Sequence, residues 1–301
     1  MKLNALNSVL KSWARGGALS LLLAGVVGVP IAQAREGVNV GQQSALTRLV
    51  PADQVEQAGA QQYAEMMAQA KAQNVLVPAS DAQVVRLRTI AQRLIPYSMG
   101  WNKRAQSWQW EVNLINAKDI NAFCMPGGKI AFYAGILQQL QLNDDEVAMI
   151  MGHEIAHALR EHARARMGKS AATRIGASLL STILGLGSAG DTLLNMGGQL
   201  ITLRFSRDDE SEADLVGMEI AARGGYNPRA GVTLWQKMAA ASKGAPPQWL
   251  STHPSGNSRI ADIQKNLPKV LPLYERAEKP PRRFDVPRRV GAVSPAPAGK
   301  G

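Results

Sequence analysis

The chain contains one cysteine, Cys124, among 301 residues. A lone cysteine excludes an internal disulfide, so a hydrophobic core must supply the stability of the fold. The length is ample for such a core, in one large domain or two small ones. We interpret Cys124 as a small buried packing residue rather than as a redox switch.

Acidic residues are scarce at the two ends of the chain. Residues 1–34 carry a charge of +3 with no acid, and residues 279–301 carry +5, out of a formal net charge of +11. The remainder is only mildly basic, so we expect no nucleic-acid partner. The Pro/Arg-rich tail, residues 276–301, is predicted to be disordered. Its charge leaves two interpretations open, a peripheral contact with anionic membrane lipids or no partner at all.

The N-terminal apolar segment is too short to span a bilayer. Residues 17–29 are uncharged, whereas a membrane-spanning helix needs ~20 residues. Basic residues precede this segment and an A-x-A sequence follows it at residues 32–34. These features predict a signal peptide, residues 1–34, that is cleaved on export to the bacterial periplasm. The alternative is an uncleaved membrane anchor, and the absence of a nearby cysteine argues against a lipid-modified N-terminus.

Charge is also missing from residues 175–190 and 192–203, which only Asp191 separates. Each half is too short to cross a membrane as a helix. Two interpretations stay open for this stretch. It is either a buried helical hairpin or a mobile apolar lid that faces a membrane or an unfolded substrate.

Histidine is scarce as well, and two of the four histidines fall in one motif, HEIAH at residues 153–157. Residues four apart share one face of a helix, so His153 and His157 can point two imidazoles at one metal ion. Glu154 lies beside them, where its carboxylate can take a proton from a metal-bound water. The motif therefore predicts a catalytic zinc site.

A catalytic zinc ion needs a third protein ligand and an open position. Glu210, at the start of a later helical stretch, is the best candidate. Asp214 shares its helix face and can accept the second ring N–H of a ligating histidine. The two remaining histidines differ. His162 is about half a turn out of phase with His153, so we predict that it faces away from the metal. His253 lies in a Pro/Gly-flanked loop.

Hydrophobic periodicity predicts a mostly helical α+β fold with a small antiparallel sheet beside the HEIAH helix. The domain should span residues 51–275, after a loose lead-in at residues 35–50. Tyr63, Met66, Met67 and Ala70 form the apolar stripe of the first helix. The predicted helices are residues 53–72, 81–95 and 144–167, and the predicted strands are residues 108–114 and 129–133. We interpret the second strand as an edge that pairs with an extended substrate, with an internal strand as the alternative.

Five segments in a fixed order carry a family resemblance: NAFCMPGGKI at residues 121–130, GIL at 135–137, HEIAH at 153–157, SRDDESEAD at 206–214, and THP at 252–254 followed by Arg259-Ile260. Together they resemble the HtpX/BepA/Oma-type zinc metallopeptidases, relatives of the CAAX prenyl endopeptidases, over residues 50–270. The chain lacks the transmembrane helices of the HtpX branch and the helical-repeat extension of the BepA branch, so we expect a soluble periplasmic branch.

The resemblance implies a compact gluzincin-like fold and endopeptidase activity on misfolded or mis-assembled proteins. It also implies one zinc ion per chain, held by His153, His157 and Glu210, with Glu154 as the catalytic base. His253 matches a downstream His-Pro element, where it could donate to the oxyanion or occupy the open zinc position. The alternative is a surface histidine with no role. We therefore predict a zinc endopeptidase that cleaves unfolded or mis-assembled envelope proteins. The alternative is a zinc-stabilised chaperone-like or assembly factor.

Overall fold

The computed structural model describes residues 35–183, 200, 203–242, 247–254 and 258–287, and it describes only the backbone of residues 174–183. The predicted signal peptide, much of the uncharged stretch and the end of the tail lie outside these residues. In the described part, no helix is long and apolar enough to cross a membrane.

The fold is α+β and mostly helical, as predicted. The helices are α1 (Ala52–Ala72), α2 (Ala82–Leu94), α3 (Ala134–Gln139), α4 (Asp144–Leu159), α5 (His162–Ile183), α6 (Arg207–Arg223), α7 (Ala230–Ala241), α8 (Gln248–Thr252) and α9 (Ser258–Arg276). The strands are β1 (Glu111–Ile115), β2 (Ala122–Met125) and β3 (Lys129–Tyr133). The main hydrophobic core lies between α4, α6, α2 and the sheet.

The first two helices confirm the predictions made from periodicity. In α1 the apolar stripe buries Tyr63, Met67 and Ala70, while Met66 is half-buried. Helix α2 begins at an Asp81 side chain that accepts a hydrogen bond from the backbone N–H of Gln83, the usual cap of a helix N-terminus.

The sheet is mixed, so the prediction of an antiparallel sheet is wrong for one strand pair. Its strand order is β1-β3-β2, with β3 parallel to β1 and antiparallel to β2. The β2–β3 hairpin turns at Gly127 and Gly128, whose φ angles of 88° and 81° suit glycine. The hairpin makes β3 antiparallel to β2, and the other edge of β3 pairs with β1 in the parallel direction.

The start of α4 is confirmed and its predicted end is wrong. The Asn143 side chain accepts a hydrogen bond from the Glu146 N–H, and the Glu146 carboxylate accepts one from the Asn143 N–H, a complete capping box. The helix stops at Leu159 instead of continuing to residue 167. Glu161 has φ of 56°, and a new helix, α5, starts at His162. This break changes the direction of the chain directly after the metal motif.

Helices α4 and α6 cross at two glycines. A Cβ atom on Gly217 would lie 2.5 Å from the backbone nitrogen of His153, and one on Gly152 would lie 2.6 Å from the carbonyl oxygen of Gly217. Only glycine permits so close an approach of two backbones. The crossing therefore brings the HEIAH helix against the helix that carries Glu210.

Both ends of the domain make specific contacts. In the stretch predicted to be a loose lead-in, the backbone N–H of Val38 donates to the buried Glu219 carboxylate at 2.8 Å. In the first part of the predicted disordered tail, Arg283 pairs with Asp145 and the N–H of Phe284 donates to Asp144. The carboxylates of Glu219, Asp144 and Asp145 therefore hold two segments that composition alone predicted to be loose or disordered.

Candidate metal centre

Helix α4 directs the imidazoles of both HEIAH histidines towards each other on one face. The Nε2 atoms of His153 and His157 lie 3.0 Å apart, and both side chains are buried. Burial is the largest influence on His157 and lowers its pKa well below the usual value. The imidazole is therefore neutral and has a lone pair to offer to a metal ion.

Helix α6 brings Glu210 to the same spot. Ser206 caps this helix, which places Glu210 in its first turn. One carboxylate oxygen lies 3.3 Å from His157 Nε2 and the other lies 3.6 Å from His153 Nε2. Burial alone would raise the pKa of Glu210, but its close contacts with His157 and His253 hold the pKa below its usual value. The carboxylate is thus ionised, as a metal ligand must be.

The spacing of these atoms fits a zinc ion. Tetrahedral zinc with bonds of ~2.0–2.1 Å places its ligand atoms roughly 3.3 Å apart. The two Nε2 atoms lie 3.0 Å apart, and the nearest Glu210 oxygen to each lies at 3.3 or 3.6 Å, so these separations bracket that value. Two neutral imidazoles and one carboxylate are also the donor set of a known type of catalytic zinc site. The side chains present therefore fit the metal that the motif predicts.

Asp214 lies where the sequence placed it, behind His153. Its Oδ1 atom is 3.0 Å from His153 Nδ1, so this ring nitrogen can donate while Nε2 faces the cluster. Arg259 donates to both oxygens of Asp214 at 2.6 Å and to Glu210 at 2.6 Å. Burial would raise the pKa of Asp214, but the charge of Arg259 lowers it. Arg259 therefore fixes two of the carboxylates around the site.

His253 joins the cluster as a fourth buried donor. Its Nδ1 atom lies 3.0 Å from a Glu210 oxygen and 3.2 Å from His153 Nε2. One donor atom from each of His153, His157, Glu210 and His253 falls within 4.8 Å of the others. Burial would lower the pKa of His253, but the Glu154 and Glu210 carboxylates raise it. The structure thus brings together every metal-site residue that the sequence suggested.

His162 does not face away from the cluster, so that prediction is wrong. Its Nδ1 atom lies 2.9 Å from Nδ1 of His157, and the side chain is buried. The prediction assumed one continuous helix, whereas the chain turns at Glu161 and brings His162 back beside His157. No Gly, Pro or Asn marks this turn in the sequence.

Glu154 is held by a residue that sequence reasoning missed. The indole N–H of Trp249 donates to a Glu154 oxygen at 2.7 Å, and the Trp249 ring stacks on His253 with centroids 4.8 Å apart. Trp249 precedes His253 by four residues, a spacing that could have suggested a shared face. Its contact with Glu154, 95 residues away in sequence, depends on the tertiary fold.

A small cleft that opens to solvent borders the cluster. Glu154, His157 and His253 line one side, and residues 121–126 line another. Cys124 is half-buried in this wall, and burial raises the pKa of its thiol well above the usual value. The thiol is therefore protonated, which agrees with a packing role.

The strand that borders the cleft is β2. The substrate-pairing edge was predicted on β3, but β3 lies between β1 and β2 and has no free edge, so that prediction is wrong. In the described part of the chain, no strand pairs with the outer edge of β2. An extended backbone could add there by ordinary strand pairing.

Sequence comparison places this site in a known class of protein. Residues 81–267, which hold the four clustered donors, match Peptidase family M48. The chain belongs to this family. The match agrees with the expected HtpX/BepA/Oma-type resemblance and covers the sheet, α4, α6 and the first half of α9.

Individual relatives point the same way. Mitochondrial metalloendopeptidase OMA1 of Arabidopsis thaliana is 36% identical over 150 residues, 50% of this chain and 30% of that protein. Metalloprotease LoiP of Escherichia coli is 30% identical over 195 residues, 64% of this chain and 73% of that protein. The Beta-barrel assembly-enhancing protease of Yersinia pestis is 29% identical over 196 residues, 62% of this chain and 39% of that protein. The chain thus spans well under half of the Arabidopsis and Yersinia proteins.

Proposed function

We propose that this chain is a zinc metalloendopeptidase that holds one zinc ion through His153, His157 and Glu210 and uses Glu154 as its catalytic base. The observation that carries the proposal is the convergence of three ligand atoms from α4 and α6 beside a fourth group, Glu154, that is not needed as a ligand. Membership of Peptidase family M48 supports the same activity.

The mechanism assigns a task to each side chain. A zinc ion held by His153, His157 and Glu210 would supply Lewis acidity, which lowers the pKa of a bound water to about 7. Glu154 would accept a proton from the attacking water and would then return it to the leaving amine. Trp249 holds the Glu154 carboxylate in one orientation through the 2.7 Å hydrogen bond. Asp214 and Arg259 keep His153 and Glu210 directed at the ion.

The substrate class we propose is an unfolded or mis-assembled envelope protein. The cleft beside β2 suits an extended polypeptide, which folded proteins rarely expose. A relative whose name describes a protease that enhances β-barrel assembly supports an envelope setting. The alternative, a zinc-stabilised chaperone-like or assembly factor, has no use for Glu154 in its observed position.

The location we propose is the bacterial periplasm, after removal of residues 1–34, with peripheral membrane contact through the basic tail as a further possibility to test. The basic start, short apolar segment and A-x-A sequence support export. Mass spectrometry of the exported protein should show a first residue of Arg35. An intact N-terminus in the membrane fraction would identify an anchor instead.

The activity is tested with purified mature protein and casein or an unfolded outer-membrane protein as substrate. Wild type should contain about one zinc ion per chain and cleave the substrate. Glu154→Gln should keep the metal and lose cleavage, because an amide cannot accept the proton. His157→Ala and Glu210→Ala should lose both. Cleavage by Glu154→Gln at the wild-type rate, or full zinc content in both ligand variants, would contradict the assignment.

A further inference from the structure

His162 is a buried polar residue to which the mechanism above gives no task. Its ring centroid lies 4.9 Å from that of His157, with the ring planes at 75°. Its Nδ1 atom faces His157 Nδ1 at 2.9 Å, and its Nε2 atom faces a Glu212 oxygen at 3.3 Å. Both ring nitrogens therefore have a partner, and one of these partners is a candidate ligand.

The orientation of His157 determines the tautomers of both histidines in the row His157–His162–Glu212. Its Nε2 atom faces the ligand cluster and must keep a lone pair to bind a metal ion, so the ring proton sits on Nδ1. That N–H can only donate if Nδ1 of His162 accepts. The proton of His162 then sits on Nε2, where it donates to Glu212. Arg160 holds the other Glu212 oxygen.

His153 is supported in a similar way, but it contacts its carboxylate directly. Its Nδ1–H donates to Asp214, and Arg259 holds both oxygens of that carboxylate. Each of the two HEIAH histidines is thus supported, directly or through His162, by a carboxylate that an arginine holds. For His157, the imidazole of His162 lies between the candidate ligand and the Glu212 carboxylate.

We propose that His162 is a positioning residue for zinc binding, which fixes the tautomer and ring orientation of His157 and is itself fixed by Glu212. The inference rests on the proposed zinc site. Such partners of ligating histidines raise metal affinity by ~10–100-fold. His162 is not among the residues that line the cleft.

The test measures zinc affinity by competition with a chromogenic chelator. His162→Leu removes the acceptor at similar size and should weaken zinc binding by ~10–100-fold. His162→Asn keeps an oxygen near the position of Nδ1 and should recover most of that loss. Cobalt-substituted protein should show an altered visible spectrum in the leucine variant only. Met167→Ala, a buried change on the same helix α5, is the matched control and should lower thermal stability while zinc affinity stays unchanged.

Glu212 is the residue of the His157–His162–Glu212 row that lies farthest from the ligand cluster. A substitution there should disturb the core little, because the Glu212 side chain is 22% exposed. Glu212→Ala should weaken zinc binding in wild type and have no further effect in the His162→Leu background, since the two residues act through one path. Equal losses in the leucine and asparagine variants, wild-type affinity in the leucine variant, or additive effects of the two sites would overturn the inference. A wild-type protein that binds no zinc would overturn the metal site itself.

Discussion

At the scale of single residues, His253 occupies a place where two roles compete. Its Nδ1 atom lies 3.0 Å from Glu210, and its Nε2 atom lies 3.6 Å from Glu154. From there His253 can act as a fourth ligand at rest or as a donor to the oxyanion during the reaction. The short distances to the ligand atoms support the resting role.

We therefore expect His253→Ala to raise peptidase activity or self-cleavage, because the variant leaves the fourth zinc position open. The measurement is the rate of cleavage of an unfolded protein and of a short peptide, with Glu154→Gln as the inactive control. A loss of roughly 10²–10³ in turnover would instead assign His253 to the oxyanion. Rates equal to wild type on both substrates would show that neither role exists.

The site residues that could be predicted from the sequence are those whose separation along the chain is itself typical of a metal site. The four-residue interval of His153 and His157 determines a shared helix face whatever the rest of the fold does. Trp249 and Arg259 could not be assigned their contacts in this way, because each reaches its partner across the tertiary structure. His162 was misplaced because its orientation depends on a turn that the sequence does not mark.

At the scale of elements, the site depends on how closely α4 and α6 approach. His153 follows Gly152 on one helix, and Glu210 lies two turns before Gly217 on the other. The two glycines meet backbone to backbone. Any side chain at the crossing would separate the helices and therefore the ligands that they carry.

We expect Gly217→Ala to destabilise the fold by about 1–3 kcal/mol, the usual cost of overpacking a tight contact. Zinc affinity should fall as well, since His153 and Glu210 would move apart. The measurements are thermal unfolding and chelator competition. Gly100→Ala is the control, because a Cβ atom there meets nothing within 4 Å. Wild-type zinc affinity in Gly217→Ala would show that the crossing does not set the ligand spacing.

The elements that were predicted correctly are those with a local signal. The 3.6-residue stripe located α1 and α2, and the Asn143–Glu146 capping box located the start of α4. Strand β2 was missed because four residues before a turn carry little periodicity of their own. Strand β3 pairs with a neighbour on both edges. The alternation of apolar and polar residues along a single strand does not reveal how many neighbours that strand has.

At the scale of the whole molecule, a zinc ion at this site would join segments that are distant in sequence. Its candidate ligands come from α4 and from the start of α6, and Arg259 on α9 pairs with Glu210 and Asp214. Without the ion, these histidines and carboxylates stay buried, and only hydrogen bonds among themselves and to neighbours such as Arg259 compensate for the lost hydration. An ion that binds the folded chain and not the unfolded chain stabilises the fold by mass action.

Free zinc at 100 times its dissociation constant contributes about 2.7 kcal/mol to the free energy of unfolding. For a domain of this size each kcal/mol moves the melting temperature by roughly 2–4 °C. We therefore expect a strong chelator to lower the melting temperature of wild type by about 5–10 °C, as followed by calorimetry. His157→Ala should melt at the same temperature with and without the chelator, because it has no zinc to lose. A chelator shift of equal size in both proteins would mean that the metal acts elsewhere in the chain, and no shift in wild type would mean that the buried cluster is stable without an ion.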